Sequence, residues 1–216
     1  MEAVTDWLTQ RHGDTEWRVF GAILAGGASR RFGAPKALAH VGGMRIVERV
    51  RDALAAVAGE TVLIANEPGL FAEMGLEMRG DEVAGVGPLG GIVTALRWAA
   101  ERGHGGALCV ACDMPFASAA LLRRIAERAG DAIVVPESRG RRGVEPLCAW
   151  YPAACLPAAE RMIAGGSWAL HELLDAFPAE RIPLAEVELI GDPDVLFLNV
   201  NTPADHEIAQ RIAAGA

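Results

Sequence analysis

A chain of 216 residues with 51% hydrophobic and 22% charged side chains can bury the core of one compact domain and is too apolar to be intrinsically disordered. Its 20 basic and 28 acidic residues leave a formal charge of −8, which argues against a protein that grips nucleic acid through a broad basic surface. Four cysteines are too few for a disulfide scaffold, and the longest apolar run, 105–122, is broken by Asp113 and Pro115, short of the roughly 18 uninterrupted apolar residues a membrane span needs.

In chain order, residues 1–17, with Trp7 and Trp17, read as an arm or extra helix ahead of a single domain over 18–216. This arm carries Glu2 and Asp6 and lacks a secretory layout, so a cytoplasmic protein without nucleic-acid or membrane partners is expected. Strands are predicted at 19–24, 61–65, 107–111, 132–135, 146–151 and 195–199. Helices are predicted at 45–57, from Pro88 through Trp98, and from Pro203 onward. The alternation predicts an α/β fold: a mostly parallel, Rossmann-like sheet flanked by helices. Ligands of such sheets bind outside the carboxyl ends of the strands, so the turn-rich stretches 26–35 and 80–88, with 112–116 and 199–203, are predicted to build one site. The polar stretch 137–145, with Arg139, Arg141 and Arg142, reads either as a basic flap near that site or as a solvated hairpin.

The first loop, Leu24-Ala25-Gly26-Gly27-Ala28-Ser29-Arg30-Arg31-Phe32-Gly33-Ala34-Pro35-Lys36, is a phosphate loop by composition. Adjacent glycines bring bare backbone N–H groups close to an anion, and Arg30, Arg31 and Lys36 supply charge. Its spacing fits neither the nucleoside-triphosphate P-loop nor the dinucleotide fingerprint. Of the 20 basic residues 19 are arginine, so Lys36 is the chain's single lysine, as expected where a compact point charge must reach a phosphate. Asp113 closes an apolar strand, where its carboxylate would meet a Mg²⁺ held by oxygen ligands and phosphates, or would cap the next helix. Asp81 and Asn66 also fit turns, and Asn201 also fits a helix cap.

Cys109-x-x-Cys112 has metal or redox spacing, but residues three apart on a strand face opposite ways, so core cysteines are expected. The five histidines show no metal spacing, and no nucleophile elbow occurs.

Five ordered stretches, Leu24 to Lys36, Asp81 to Ile92, Cys112-Asp113-Met114-Pro115, Glu145-Pro146-Leu147-Cys148-Ala149 and Asn199-Val200-Asn201-Thr202-Pro203, resemble the MobA-like nucleotidyltransferase family, whose fold is that of the nucleotide-diphospho-sugar transferases. Ala34-Pro35 departs from the acidic residue the molybdenum enzymes often carry before the lysine. The resemblance implies Mg²⁺-dependent transfer of GMP from GTP to the terminal phosphate of molybdopterin, with CTP, a sugar phosphate or a non-catalytic nucleotide-binding role as alternatives. It implies nucleotide binding by Leu24, Ala25, Gly26, Gly27, Lys36, Asn66, Asp81 and Asp113. Catalysis falls to Lys36, Arg30 and Asp113, and metal binding to Asp113 and Asn201. Transient contact with molybdoenzymes follows from the same resemblance.

Overall fold

The computed structural model of the chain describes residues 19–26 and 36–215. The arm at 1–17, Gly27 and Arg30 lie outside the described residues, and of Lys36 only the backbone is described.

β1 (Phe20–Leu24) is buried at all five positions, with Phe20, Ala22 and Leu24 in one core and Ile23 in the other. Such a doubly buried run is what a central parallel strand requires. A small hairpin, β2 (His40–Val41) and β3 (Met44–Arg45), leads into α1 (Ile46–Ala55). This helix buries Ile46, Val47, Val50 and Leu54 on one stripe, and the Glu48 carboxylate accepts the Arg45 N–H at 3.0 Å to close its first turn. β4 (Glu60–Ile64) and β5 (Glu77–Arg79) follow, then α2 (Pro88–Glu101) and β6 (Gly106–Ala111). Ser118 caps α3 (Ala119–Ala126) by accepting the Leu121 N–H. The chain continues through β7 (Ile133–Pro136), β8 (Cys148–Pro152), α4 (Leu156–Ala164), α5 (Leu170–Ala176) and β9 (Ala179–Ile182). It closes with α6 (Leu184–Ile190), α7 (Pro193–Leu196) and α8 (Pro203–Ala213), the last started by a reciprocal Thr202–Asp205 cap.

The seven-stranded sheet has the order β5-β4-β1-β6-β8-β7-β9. β5, β4, β1 and β6 are parallel, β8 runs antiparallel to both neighbours, and β7 and β9 are parallel. The chain winds from β1 to β4 and β5 on one side and then crosses to β6 on the other, so the order reverses beside β1. A crevice opens at such a reversal, outside the carboxyl ends of the strands. α1 and α3 pack on one face, and α2 and α4 on the other. A small cluster of Val41, Ile46, Val200 and Ala209 ties the closing loop and α8 to the β2–β3 hairpin.

Five of the six predicted strands are present as β1, β4, β6, β7 and β8. The expected strand at 195–199 is not: residues 193–196 form α7. The Asp192 carboxylate accepts the Asp194 N–H at 3.0 Å and Pro193 opens the turn, so a helix start overrides the apolar run behind it. The four cysteines are buried and form no disulfide among the described residues; Cys109 faces the α2 core and Cys112 the α1 core, as the strand periodicity predicts. Burial raises the Cys109 and Cys148 thiols far above their ordinary range and pushes Cys155 up to about 12, which makes them poor nucleophiles. Among the described residues no helix is long and apolar enough to cross a membrane.

Candidate active site at the carboxyl edge of the sheet

On one side of the β1 terminus, β4 and β5 end in register, with Ile64 opposite Arg79 and the Ala65 N–H donating to the Arg79 carbonyl at 2.8 Å. Two residues further along each chain, Asn66 and Asp81 therefore meet. Asn66 Nδ2 donates to Asp81 Oδ2 at 2.9 Å, and the Asp81 N–H donates to Asn66 Oδ1 at 2.8 Å. This two-point clasp sets the Asp81 carboxylate against Gly26: a Cβ at Gly26 would lie 2.5 Å from Asp81 Oδ2. Asp81 Oδ1 is buried and finds no hydrogen-bond partner among the described residues. A buried carboxylate oxygen without a donor costs roughly 1–3 kcal/mol, so this position calls for an N–H or O–H donor from beyond the described residues. With Asp81 read as a nucleotide contact, Gly26→Ala is expected to break the Asn66–Asp81 clasp, lowering the melting temperature and weakening nucleotide binding about tenfold, because the clash meets a short side chain that Asn66 holds in place. Equilibrium titration with nucleotide checks this.

On the other side of β1 stands the second cluster. The Cys112 N–H donates to the Leu24 carbonyl at 3.0 Å, which carries the β1–β6 pairing one step beyond β6 and brings Asp113 to the carboxyl end of β1. Asp113 is only 8% exposed. Its carbonyl accepts the Val200 N–H at 2.9 Å and so brings the closing loop, with Asn201, alongside it. Asn201 and Thr202 in turn donate their N–H groups to the Asp205 carboxylate at 3.0 and 2.8 Å, which fixes the loop at the head of α8.

Glu145, given no role from sequence, belongs to this cluster. The Ala111 N–H donates to the Leu147 carbonyl at 2.8 Å, so the antiparallel β6–β8 pairing brings Glu145 back to the edge where Asp113 lies. Burial raises the Glu145 carboxyl to about 7, opposed by the Leu147 N–H it accepts at 3.3 Å and reinforced by the charge of Asp113. The signal available in the sequence was its place in the fourth motif, but only the hairpin that returns β8 reveals the neighbour.

A carboxyl raised in the folded state makes that state bind the extra proton. Stability is therefore full below the ordinary value near 4.5 and falls as pH rises toward about 7. Glu145→Gln is expected to abolish this fall and to stabilise the protein at pH 8 by up to about 3 kcal/mol, with no gain at pH 4. Urea unfolding of both proteins at the two pH values measures it.

Carboxylate oxygen is the ligand chemistry that hard cations take. Asp113 and Glu145 bring two carboxylates to this edge, and among the described residues no group of three or more His, Cys, Asp or Glu side chains could by itself hold a metal ion. Mg²⁺ commonly takes only one or two carboxylates and completes its shell with substrate phosphates and water.

The stretch 137–145 is a hairpin: Glu137 bridges Val144, and the Ser138 N–H donates to the Gly143 carbonyl at 3.0 Å. Arg139 is bound away from the site by Glu188, Asp192 and Asp194 at 2.7–3.1 Å, while Arg141 and Arg142 are exposed. Lys36 opens a short 3₁₀ turn, Lys36–Leu38, whose Ala37 is buried in the α1 core. Arg30 and Gly27 lie outside the described residues.

With this geometry in hand, comparison with known proteins decides the family: residues 21–179 match the MobA-like NTP transferase domain. The chain belongs to this family. As a MobA-like protein it is a nucleotidyltransferase. It is 36% identical, over 86% of its own length and 88% of the relative's, to a protein of Pelotomaculum thermopropionicum named probable molybdenum cofactor guanylyltransferase. It is 35% identical to the molybdenum cofactor guanylyltransferase of Desulfosudis oleivorans, over 89% and 94% of the two chains. Among solved structures, a molybdopterin-guanine dinucleotide biosynthesis protein A from Archaeoglobus fulgidus superposes with a TM-score of 0.74 at 26% identity, covering 92% of this chain and all of that one. The MobA-like fold matches the expected α/β class.

Proposed function

We propose that this protein transfers GMP from GTP to the terminal phosphate of molybdopterin and releases pyrophosphate. The names of the relatives support the substrates, and one observation supports the chemistry: the edge around β1 carries the Gly26–Asp81–Asn66 clasp on one side and the Asp113–Glu145 pair with the Asn201 loop on the other.

In this reading an oxygen of the acceptor phosphate attacks the α-phosphorus of GTP. The bond from that phosphorus to the oxygen bridging to the β-phosphorus breaks, and its electron pair leaves with pyrophosphate. The acceptor phosphate is already ionised at neutral pH, so no general base is required. The protein's task is to bring two polyanions together and to stabilise the charge that develops. The backbone of Leu24, Ala25, Gly26 and Gly27 lies along the nucleotide, with glycine N–H groups facing its phosphates. Asn66 and Asp81 orient the nucleotide, and Arg30 and Lys36 neutralise the pyrophosphate. Asp113 and Asn201, with Glu145 as a second carboxylate, hold Mg²⁺. When bound, this ion supplies Lewis-acid neutralisation of the phosphates. Handover of the product to molybdoenzymes by transient contact completes the proposal.

Thermal unfolding with Mg²⁺ and each of GTP, CTP, ATP and UTP tests the reading, since a ligand at about 100 times its Kd stabilises by roughly 2.7 kcal/mol. A rise confined to GTP is expected. A rise with CTP or UTP alone would reassign the nucleotide, and no rise with any of the four would leave a protein without the proposed substrate.

A further inference from the structure

Thr94 is fully buried in the middle of α2, and its hydroxyl is used in both directions. It donates to the Gly90 carbonyl one turn earlier at 2.9 Å and accepts the Glu82 N–H at 3.0 Å. The first bond is the ordinary back-bond of a helical threonine; the second reaches out of the helix to the residue that follows Asp81. Gly90 makes this approach possible, because a Cβ there would lie 2.6 Å from the Val83 carbonyl oxygen. The loop thus rests on bare helix backbone, with the Thr94 hydroxyl as its buried polar anchor. Outside, Arg97 ties the Glu82 carboxylate at 2.5 Å and Glu160 at 2.7 Å.

We infer that Thr94 is a positioning residue for nucleotide binding: by holding the Glu82 N–H it fixes the loop that presents Asp81 to Gly26. Asn66 clasps Asp81 from the β4 side and Thr94 holds the next peptide from the α2 side, so the carboxylate is set both by a strand of the sheet and by the helix packed on it. An exposed salt bridge such as Arg97–Glu82 is screened and mobile, whereas a buried hydroxyl that must satisfy an N–H has one geometry. The inference rests on the reading of Asp81 as a nucleotide-orienting residue.

Titration calorimetry with GTP and Mg²⁺ on the full chain tests it. Thr94→Val keeps the volume and removes the hydroxyl, and is expected to raise the Kd for GTP about tenfold. Thr94→Ala is a second variant without the hydroxyl and should behave alike. Thr94→Ser keeps the hydroxyl and loses a buried methyl, so its melting temperature should fall while its Kd stays within about twofold of the parent. Asp81→Asn should itself weaken binding, and adding Thr94→Val to it should cost nothing further, because both changes act through one carboxylate. A parental Kd for Thr94→Val beside a weakened Asp81→Asn overturns the role of Thr94 alone. That role is overturned equally if Thr94→Ser binds as poorly as Thr94→Val, or if the two losses multiply. A parental Kd for Asp81→Asn overturns the reading of the clasp on which the inference depends.

Discussion

Asp113→Asn is expected to lower turnover at least about 1,000-fold while leaving the fold intact. The substitution removes a charge and keeps the size. The contact that organises the neighbouring loop, from the Val200 N–H, goes to the Asp113 backbone carbonyl and survives it. What is lost is the carboxylate that, in the proposed reaction, holds the divalent ion against the phosphates. A second effect runs the other way: the charge of Asp113 helps to raise the Glu145 carboxyl to about 7, so its removal lets that carboxyl fall. The variant should therefore be at least as stable as the parent at pH 8 and yet nearly inactive. Steady-state rates together with urea unfolding check both halves. An active Asp113→Asn, or one that fails to fold, would contradict the assignment.

The second large effect is expected at Lys36. Its backbone is fixed, because the turn it opens sets Ala37 into the α1 core, so the substitution should disturb charge more than structure. Lys36→Ala is expected to reduce kcat about 100- to 1,000-fold at saturating GTP, since the ammonium in this account opposes charge that grows on the leaving pyrophosphate. Lys36→Arg should restore little, because a planar guanidinium differs from a compact ammonium in reach and direction. A chain that uses arginine at every other basic position keeps lysine here. An unchanged kcat in Lys36→Ala would remove the residue from the chemistry.

Much of this architecture is legible in the sequence, because the strands that build the site are apolar on both faces. β1, β4 and β6 announce themselves as short runs, and the loops at their carboxyl ends carry the motifs. β5, with the sequence Glu-Met-Arg, and the two-residue strands of the β2–β3 hairpin are too short and polar to show periodicity; they exist because neighbouring backbone offers them hydrogen bonds. β9, Ala-Glu-Arg-Ile, is exposed at three of four positions and pairs at the sheet edge for the same reason. The apolar run at 195–199 misleads because the Asp-Pro start that precedes it is a local signal stronger than the pattern behind it.

The site divides in the same way. Asn66, Asp81, Asp113 and Asn201 can be singled out as residues, but not the clasp between the first two, which depends on the parallel register of β4 and β5. Glu145 and Thr94 stay hidden for the same physical reason. The neighbour that gives each its meaning is distant in sequence: Asp113 through the antiparallel return of β8 for one, the Glu82 N–H through the packing of a loop on α2 for the other. Of the two readings of 137–145 the hairpin is the one the structure shows, and the fate of Arg139 stays hidden because the carboxylates that bind it lie about 50 residues away, on α6 and at the start of α7.

The central claim is tested most directly by a single transfer reaction. The purified protein is incubated with Mg²⁺, molybdopterin and GTP labelled at the α-phosphate, and both products are counted. The account predicts that label appears on the pterin in step with pyrophosphate, one for one, and that labelled CTP gives none. Absence of label on the pterin, or transfer from CTP and not from GTP, would contradict it.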